Sequence, residues 1–350
     1  MKQQKYNNNN ITIYDIARHL NLSASTVSRA LNNKGTIKKD TIKKVKDTAK
    51  LLNYSPNIGA QYLKTLKTRQ IMFSVTYLAD EFYSDMVSAI QSVAKYNDYS
   101  LIIESTEDDI EEELRVIKNA KRNFIDGLIM VSLNFTREHI KEIKKINMPV
   151  VLSSMCKNRI EDEEGLFDYI GVDTRKGIYL ATKHLIEQGH EKIGFIGHNL
   201  NTHTGDERYK GFCSAMNDFG LSVNKEYVMT TGKFSTTIGY ETGLTFAGMK
   251  TPPTAICTSA DLIVLGLYKA FDEKNIRIPQ DISITGMDNI RTTSILKPKV
   301  TTVALLQGEI GTYAANLIFK RLDGFKDPSQ NIIFKTRLIV RESSINISKE

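Results

Sequence analysis

The stretch TIYDIARHLNLSASTVSRALN, residues 12–32, constrains the fold of this 350-residue chain more than any other. Its apolar residues recur every three or four positions, at Ile13, Ile16, Ala17 and Leu20. Thr12 and Asp15 have the spacing of a capping box at the start of this helical face. Asn21 tolerates the left-handed backbone that a sharp turn needs, and Ser23 can cap a following helix. The stretch therefore predicts two short helices joined by a tight turn.

The second of these helices presents a polar outer face. Val27 and Leu31 point inward in the predicted pattern. The outer positions are Ala24, Ser25, Ser28, Arg29 and Asn32. This arrangement is that of a helix-turn-helix, whose second helix enters the DNA major groove through its N-terminal residues. An ordinary helical hairpin is the alternative.

A third amphipathic helix is predicted over residues 36–52. Its apolar positions are Ile42, Val45, Ala49 and Leu52. Its opposite face carries Lys39, Lys43, Lys44, Lys46 and Lys50. Three helices can bury a small core where two cannot, so this helix favours a folded DNA-binding unit over a simple hairpin.

Basic residues are concentrated at the start of the chain. The net charge is +7, but residues 1–70 contain 14 Lys+Arg against 3 Asp+Glu, and the rest of the chain contains 33 against 37. A basic unit followed by a mildly acidic remainder is typical of nucleic-acid binding by the first unit alone. A basic tail without a partner is the alternative, and a charge carried on a three-helix pattern disfavours it.

Composition also bears on location and redox chemistry. No apolar run is long enough to span a bilayer, and the Asn-rich residues 1–10 do not have the pattern of a signal peptide. We expect a cytoplasmic protein with a disordered leader over residues 1–10 and no membrane partner. Cys156, Cys213 and Cys257 are widely separated and odd in number, so they predict neither a disulfide framework nor a metal site.

Residues 11–57 resemble the DNA-binding headpiece of the LacI/GalR family of bacterial transcriptional regulators. The most specific motifs are IYDIA, STVSRALN and LNYSPN, and a looser match continues to about Arg341. The resemblance implies an all-α helix-turn-helix headpiece over residues 11–56, a hinge helix over 57–68 and a body over 69–345. It also implies a homodimer on double-stranded operator DNA, whose two-fold symmetry is matched by an inverted repeat.

The resemblance further assigns the DNA contacts. Ala24, Ser25 and Arg29 match positions that read base edges. Positions that hold phosphates and set the register are Thr12, Ser23, Thr26, Ser28, Asn32 and Tyr54. Leu63, in the short segment NIGAQYLKTLK, matches a leucine that wedges into the minor groove once the hinge orders on DNA. A flexible tether is the alternative for this segment, since Gly59 weakens a helix.

From residue 70 onward, short β-rich runs alternate with longer helical stretches. The predicted strands cover residues 71–76, 101–104, 127–132, 150–153, 169–172, 192–196, 255–258 and 282–286. The predicted helices include residues 81–97, 177–188, 209–219, 236–249 and 262–274. Near-continuous apolar strands of this kind form parallel sheets with helices on both faces, and their number favours two lobes.

For this part of the chain the resemblance implies an α/β periplasmic-binding-protein-like body of two doubly wound parallel-sheet lobes. The lobes exchange chain segments at crossovers. We predict an N-lobe over residues 69–189 and 299–324, and a C-lobe over residues 190–298 and 331–345.

Enzyme motifs are missing from the chain. It has no GxGxxG, GxxxxGK[ST], HExxH or GxSxG. Its six histidines lack metal-ligand spacing, and the pair Glu163 and Glu164 is typical of a solvated loop. We therefore predict no enzyme, no cofactor and no metal.

Ligands of two-lobed bodies bind between the lobes, at the carboxyl ends of parallel strands. The resemblance implies effector contacts at Arg208, in the family's Arg-x-x-Gly-Phe element, and at Asp288. A guanidinium suits hydroxyls, a carboxylate or a phosphate, and an ionised aspartate accepts from neighbouring sugar hydroxyls. Phe82 or Tyr83 can lie against the apolar face of a sugar ring. The alternatives are surface ion pairs for the charged residues and core packing for the aromatic ones.

Three positions near Asp288 make the effector hard to name from the sequence. Asp261 matches a family aspartate and is predicted to be the N-cap of the following helix. Ala260 and Met287 stand where many relatives have an asparagine and an aromatic residue. The contact set is therefore altered, and no particular sugar is indicated.

These features together predict a sequence-specific transcriptional regulator, a repressor of carbohydrate-utilisation genes controlled by a sugar or sugar phosphate. One alternative is a catabolite-control regulator whose corepressor is a phosphorylated carrier protein, and Arg291, close after Asp288, is its sequence support. An alternative of another class is a sugar-binding transport component.

Overall fold

The computed structural model describes residues 11–32, 37–55, 67–120, 122, 125–154 and 167–347. The chain divides between Thr68 and Arg69 into two compact units, a headpiece and a body. Several sequence predictions lie outside the described residues: the leader over 1–10, residues 57–66 of the hinge helix predicted over 57–68 with its Leu63, and those on Cys156, Glu163 and Glu164.

The headpiece has three helices: α1 (Ile13–Leu20), α2 (Ala24–Leu31) and α3 (Lys39–Leu51). The Asp15 carboxylate accepts hydrogen bonds from the N–H of Thr12 at 2.9 Å and from its hydroxyl at 2.6 Å, which confirms the predicted start of α1. Asn21 ends α1 with a φ of 51°, and Ser23 Oγ accepts the N–H of Thr26 at 3.2 Å. The shared core consists of Ile16, Ala17, Val27, Ala30, Val45 and Ala49.

The body contains two six-stranded sheets covered by helices. The N-lobe sheet consists of β1 (Gln70–Val75), β2 (Ser100–Ser105), β3 (Gly127–Ser132), β4 (Val150–Ser154), β5 (Asp168–Val172) and β11 (Asn331–Phe334). The C-lobe sheet consists of β6 (Ile193–His198), β7 (Val228–Gly232), β8 (Ala255–Thr258), β9 (Ser283–Asp288), β10 (Thr301–Ala304) and β12 (Arg337–Ile339). The helices are α4 (Glu81–Tyr96), α5 (Ile110–Ala120), α6 (Arg137–Ile143), α7 (Thr174–Glu187), α8 (His203–Asp218), α9 (Thr236–Ala247), α10 (Asp261–Glu273) and α11 (Gln307–Leu322).

Strand order in the N-lobe sheet is β11-β5-β4-β3-β1-β2, and in the C-lobe sheet it is β12-β10-β9-β8-β6-β7. Neighbouring strands run parallel except for β10 and β12. Both orders change direction at the first strand of the lobe, as in doubly wound folds, and ligands bind outside the carboxyl ends of strands at such switch points. The predicted fold class is confirmed.

The chain crosses between the lobes at other points than the sequence predicts. Helix α7 packs on α8, β9 and β10 in the C-lobe, whereas the prediction assigns residues 174–187 to the N-lobe. Strand β10 pairs with β9 and strand β11 pairs with β5, so each lies in the lobe opposite to its predicted one. Apolar periodicity identifies the buried face of an element but not the sheet it packs against. The predicted crossovers are therefore displaced by one element.

A buried ion pair fixes α11 to the N-lobe sheet. Nε and Nη2 of Arg321 each donate to a carboxylate oxygen of Asp168 at 2.7 Å, and the N–H of Gln330 donates to the same carboxylate at 2.9 Å. The two side chains are 16% and 5% exposed. This pair anchors a helix whose preceding strand, β10, lies in the other lobe.

Arg321→Met is expected to lower the free energy of unfolding by about 3 kcal/mol, because it leaves the Asp168 carboxylate buried without its cation. Urea denaturation measures the loss. The matched control is Arg277→Met, which breaks the ion pair with Asp281, where the arginine is 70% exposed, and is expected to cost less than about 1 kcal/mol. Equal losses in the two variants would contradict the structural role of the buried pair.

Candidate functional site

The outer face of α2 presents polar groups. Of the residues predicted to contact DNA, the exposed ones are Thr12, Ser23, Ser25, Arg29 and Asn32. The half-buried ones are Ala24, Thr26, Ser28 and Tyr54, of which Ala24 and Tyr54 pack against the headpiece core. Ser25 and Arg29 are four residues apart on α2 and therefore share a face. Ser23 Oγ lies 2.9 Å from Ser25 Oγ, so the first turn of the helix carries hydroxyl groups on that face.

The predicted basic face of α3 is accessible. Its five lysines are all exposed: Lys39, Lys43, Lys44, Lys46 and Lys50. Exposed ammonium groups of this kind neutralise phosphates without reading base sequence. The headpiece thus carries one polar helix face suited to base edges and one basic face suited to a backbone.

Predicted effector residues meet at strand ends of both lobes. Tyr83 lies in the first turn of α4 after β1, Arg208 lies in α8 after β6, and Asp288 ends β9. All three are buried. Burial raises the pKa of the Tyr83 hydroxyl, and the charges of Asp80, Asp288 and Arg208 also act on it. The structure therefore brings three of the four predicted residues to one place between the lobes.

Phe82, the fourth predicted residue, is 5% exposed. Its ring packs edge-on against Tyr83, with the centroids 4.9 Å apart, and its N–H donates to the Asp80 carboxylate at 2.9 Å. The hydroxyls of Tyr83 and Thr76 lie 2.6 Å apart. These contacts fix the start of α4 against the end of β1.

Arg208 is the buried cation of this region. It is 2% exposed, its Nη1 donates to the carbonyl of Ser259, and its guanidinium carbon lies 4.7 Å from the ring centroid of Phe234. Burial raises the pKa of the Asp80 carboxyl, and the Arg208 charge opposes that shift. Because Asp80 belongs to the N-lobe and Arg208 to the C-lobe, this attraction crosses the cleft between them.

Asp288 ends β9 in a left-handed turn. Its φ is 120° and that of Asn289 is 56°, values that residues other than glycine rarely adopt. Its Oδ2 lies 3.4 Å from the N–H of Asp261. Burial raises the pKa of the Asp288 carboxyl well above its usual range. The Arg208 charge opposes this shift, and the carboxylates of Asp261 and Asp80 add to it.

Asp261 is not an N-cap, which corrects the sequence prediction. Helix α10 begins at Asp261 itself, so the cap position falls on Ala260. The Asp261 carboxylate accepts hydrogen bonds from the Thr302 hydroxyl at 2.7 Å and from the N–H of Ile290 at 3.0 Å. A Cβ at Gly286 would overlap this carboxylate, so only glycine leaves room for it there. Asp261 therefore holds the turn after β9.

Polar contacts join the two lobes beside that turn. The Glu81 carboxylate accepts hydrogen bonds from the N–H of Thr292 at 3.2 Å and from its hydroxyl at 2.6 Å. Arg291 forms an ion pair with Asp85. The first turns of α4 are thus bonded to the segment that directly follows Asp288.

Sequence reasoning missed two residues of the cleft. Asp80 lies between a predicted strand, residues 71–76, and a predicted helix, residues 81–97, so the expectation that ligands bind near strand ends also applies to it. Phe234 lies after β7, a strand that the sequence pattern did not predict, and carries no comparable signal.

Metal and membrane sites were also sought. Within the described residues, no group of three or more His, Cys, Asp or Glu side chains is placed to hold a metal ion. None of the described helices is long and apolar enough to cross a membrane.

Family comparisons match both units. The sequence model of the bacterial regulatory proteins of the lacI family matches residues 12–57, and that of the periplasmic binding protein-like domain matches residues 182–344. The chain is 31% identical to the HTH-type transcriptional regulator RegA of Clostridium saccharobutylicum, across 95% of the chain and 99% of RegA. It is 32% identical to the HTH-type transcriptional repressor PurR of Actinobacillus pleuropneumoniae, across 97% and 99% of the two chains. It is 29% identical to catabolite control protein A of Priestia megaterium, across 96% and 99%.

Solved structures share the fold. A Lac repressor dimer bound to operator and the anti-inducer ONPF superimposes with a TM-score of 0.82 at 22% identity, covering 96% of this chain and 100% of that one. A LacI family transcriptional regulator from Enterococcus faecium with bound ribose gives a TM-score of 0.70 at 25% identity, covering 79% of this chain and 99% of that one.

The headpiece and the two-lobed body define a DNA-binding transcriptional regulator with an effector-binding domain. The chain belongs to the LacI family of bacterial regulatory proteins. Family membership confirms the resemblance seen in the sequence and the prediction that the protein is a regulator and not an enzyme.

The raised pKa of Asp288 predicts a pH effect on stability. A carboxyl whose pKa is higher in the folded than in the unfolded chain binds more protons when folded, so its contribution to stability falls as pH rises above about 4. The free energy of unfolding of Asp288→Asn, relative to the wild type, is therefore expected to increase from pH 4 to pH 7 in urea denaturation. Asp281→Asn is the control, because Arg277 lowers the pKa of Asp281 to about 2 and the difference should stay flat over this range. A flat difference for Asp288→Asn as well would contradict the prediction.

Proposed function

We propose that this chain is a homodimeric repressor of carbohydrate-utilisation genes, whose binding to its operator is controlled by a sugar or sugar phosphate held between the lobes. One observation carries the proposal: a basic helix-turn-helix headpiece is joined to a body that buries Arg208 and Asp288 together at strand ends between its lobes. A guanidinium and a carboxylate in such a cleft supply directional hydrogen bonds for a polar ligand. The operator bound by the Lac repressor and the ribose bound by the Enterococcus faecium regulator support the same assignment.

On the DNA side, Ala24, Ser25 and Arg29 would contact base edges in the major groove. The residues that would hold phosphates and set the register are Thr12, Ser23, Thr26, Ser28, Asn32 and Tyr54. Leu63 would enter the minor groove at the operator centre, where the cost of unstacking is offset by the contacts that a kink allows. Two headpieces related by a two-fold axis would read an inverted repeat. Because bacterial operators lie in the cytoplasm, we infer that location for the protein.

Effector control follows from where the cleft residues lie. Asp288 is followed, after Asn289 and Ile290, by Arg291 and Thr292, which bond to Asp85 and Glu81 of the other lobe. A ligand that bonds to Asp288 and to the N-lobe would change the preferred angle between the lobes. That change would alter the separation of the two hinge segments of a dimer, and so their ability to form helices on DNA.

The catabolite-control alternative is weakened by Arg291. This residue was its support in the sequence, since a free arginine suits a phosphorylated partner. Arg291 instead pairs with Asp85. The 29% identity to catabolite control protein A keeps this alternative second, and a pull-down with a phosphorylated carrier protein would test it. A transport component is disfavoured by membership of a regulator family.

Arg29→Ala is expected to weaken binding to an operator selected from random duplexes by roughly 10- to 100-fold, because a good arginine–guanine pair contributes about 1–3 kcal/mol. Binding to unrelated duplexes should hardly change, and fluorescence anisotropy measures both. The matched control is Lys43→Ala on α3, which should weaken both by a similar factor. If Arg29→Ala also weakens both equally, its role in base reading is wrong.

Leu63→Ala is expected to reduce operator affinity and the bend angle, because alanine cannot fill the opened base step. Fluorescence energy transfer between the ends of the operator measures the bend. Leu66→Ala, a loss of the same size in the same segment, should leave the bend intact. An unchanged bend in Leu63→Ala would assign the wedge to another residue.

A further inference from the structure

We propose that His198 and Asp108 form a proton-operated latch between the lobes, which holds them together when the His198 imidazole is protonated and releases them when it is neutral. His198 ends β6 of the C-lobe, and Asp108 lies between β2 and α5 of the N-lobe. The latch acts without an effector and therefore goes beyond the proposed function. It makes the preferred angle between the lobes sensitive to pH.

The two side chains meet across the cleft in a largely buried contact. His198 Nε2 lies 3.4 Å from Asp108 Oδ2, and the two side chains are 4% and 14% exposed. The imidazole also packs on the ring of Phe234, with the centroids 4.8 Å apart. Within the part of the chain that the structure describes, Nε2 makes no hydrogen bond. The pair therefore lies at ion-pair distance without a hydrogen bond that would fix the charge of the ring.

Hydrogen bonds on the opposite side of the ring determine which nitrogen carries its proton. His198 Nδ1 lies 3.0 Å from Thr202 Oγ1. The Thr202 hydroxyl gives its only proton to the carbonyl of Asn199, at 2.7 Å, and its oxygen also accepts the N–H of Gly205 at 3.1 Å. Thr202 can therefore only accept from His198, so Nδ1 carries the proton of the neutral ring. The neutral ring then turns the lone pair of Nε2 toward a carboxylate.

This tautomer makes the contact between the lobes depend on the charge of His198. A lone pair and an ionised carboxylate repel each other, so the neutral ring provides no attraction at this point. A second proton can bind only at Nε2, where it places an N–H donor and a positive charge opposite the Asp108 carboxylate. Histidine is the side chain whose charge ordinarily changes between pH 5 and 8. Protonation in that range therefore draws the lobes together, and deprotonation removes the attraction.

The backbone that carries Asp108 supports a role beyond packing. Glu107 and Asp108 have φ values of 53° and 57°, left-handed conformations that residues other than glycine rarely adopt. Such strain persists only where neighbours over-determine it, and it is concentrated at functional positions. Here the N–H of Thr106 donates to the carbonyl of Val75, and the N–H of Asp109 donates to the carbonyl of Thr106, both at 2.9 Å. These bonds hold a strained turn that presents Asp108 to the opposite lobe.

Other charged groups near the pair act in both directions. The titratable and charged groups on the elements packed around it are Tyr77, Asp80 and Glu107 of the N-lobe and His203, Arg208 and Lys233 of the C-lobe. Arg208 and Lys233 oppose a further positive charge, but each lies over an aromatic ring, 4.7 Å from the centroid of Phe234 and 5.7 Å from that of Tyr77. Burial and the charge of Asp108 raise the pKa of the Tyr77 hydroxyl, so this group stays uncharged where histidine titrates. Asp108 contacts Nε2 directly, so its charge is the one that protonation engages.

A second buried histidine provides a matched control. His139 Nε2 lies 2.9 Å from Glu113 Oε2, and both side chains are buried within the N-lobe. The N–H of Thr136 donates to His139 Nδ1 at 3.1 Å, so Nε2 carries the proton of this neutral ring and already faces the carboxylate. This second contact is therefore attractive whether the ring is neutral or charged.

A double-mutant cycle on the full-length protein tests the latch. Its members are the wild type, His198→Asn, Asp108→Asn and the double variant, each unfolded in urea at about pH 5.5 and at about pH 8. Asparagine at position 198 keeps a donor for Thr202 but is too short to reach Asp108, and asparagine at position 108 tolerates the left-handed backbone. We expect the coupling to change the unfolding equilibrium constant by about fivefold or more at the lower pH and by less than about twofold at the higher pH. Other titrating groups are present in all four proteins and cancel.

The control cycle, with His139→Gln and Glu113→Gln, is expected to show attraction at both pH values. Histidine labelled with nitrogen-15 gives an independent measurement on the folded protein by nuclear magnetic resonance. The signal of His198 is the one that His198→Asn lacks. At about pH 8 it should report a proton on Nδ1, whereas the signal of His139 should report a proton on Nε2.

Two results would overturn the latch. One is a coupling between His198 and Asp108 that is equal at the two pH values or absent at the lower one. The other is a proton on Nε2 of His198 at the higher pH, because the neutral ring would then already donate to Asp108. Neither result bears on the effector site of the proposed function, since no effector is present in these experiments.

Discussion

The cleft between the two lobes contains charged groups that are buried from water and must be stabilised by one another. Asp288 is buried, and its charge is opposed by burial and by Asp80 and Asp261. The charge of the buried Arg208 guanidinium opposes this effect of burial on Asp288, and a carboxylate buried without such a cation would cost several kcal/mol. Burial raises the pKa of both the Asp80 and the Asp288 carboxyl in spite of the Arg208 charge.

The backbone of the turn at Asp288 also has an unfavourable conformation. Asp288 and Asn289 have positive φ values, and such backbone persists only when neighbouring groups over-determine it. Asp261 supplies that constraint by accepting hydrogen bonds from Thr302 and from the N–H of Ile290. It can do so because Gly286 has no side chain to block it. The turn at Asp288 is thus held by Asp261 and Thr302, from two other segments of the C-lobe.

The sequence predicted contacts between residues close together in the chain, but not which distant segments pair with each other. The cap of Thr12 and Asp15 and the left-handed Asn21 depend on neighbours three or four residues apart, so the sequence predicted them correctly. The family resemblance and the positions of strand ends together predicted that Arg208 and Asp288 lie at the cleft, because parallel strands end at the same edge of a sheet; their contact with an effector stays a prediction. The predicted lobes of α7 and of β10 were wrong, because a period of apolar residues does not identify the sheet against which an element packs. A short strand rich in polar residues, β7 with its sequence VMTTG, was not predicted, because it lacks a run of apolar residues. Asp261 was misjudged for the same reason, because its partners Ile290 and Thr302 are 29 and 41 residues away.

The position of the Asp288 turn determines how a ligand in the cleft can affect the rest of the molecule. Two residues, Asn289 and Ile290, separate Asp288 from Arg291, and the segment containing Arg291 and Thr292 carries hydrogen bonds and an ion pair to α4 of the other lobe. Gln307, at the start of α11 after the crossover from β10, donates to the Asp288 carbonyl. The turn that carries the Asp288 carboxylate is thus bonded both to the facing lobe and to the start of α11, next to a crossover.

A ligand that binds Asp288 would therefore change these contacts, because the turn is short and its backbone is already constrained. If Asp288 binds the effector as proposed, the signal needs no long pathway through either lobe, since Asp288 and the contacts of Arg291 and Thr292 with the other lobe lie within five consecutive residues, 288–292.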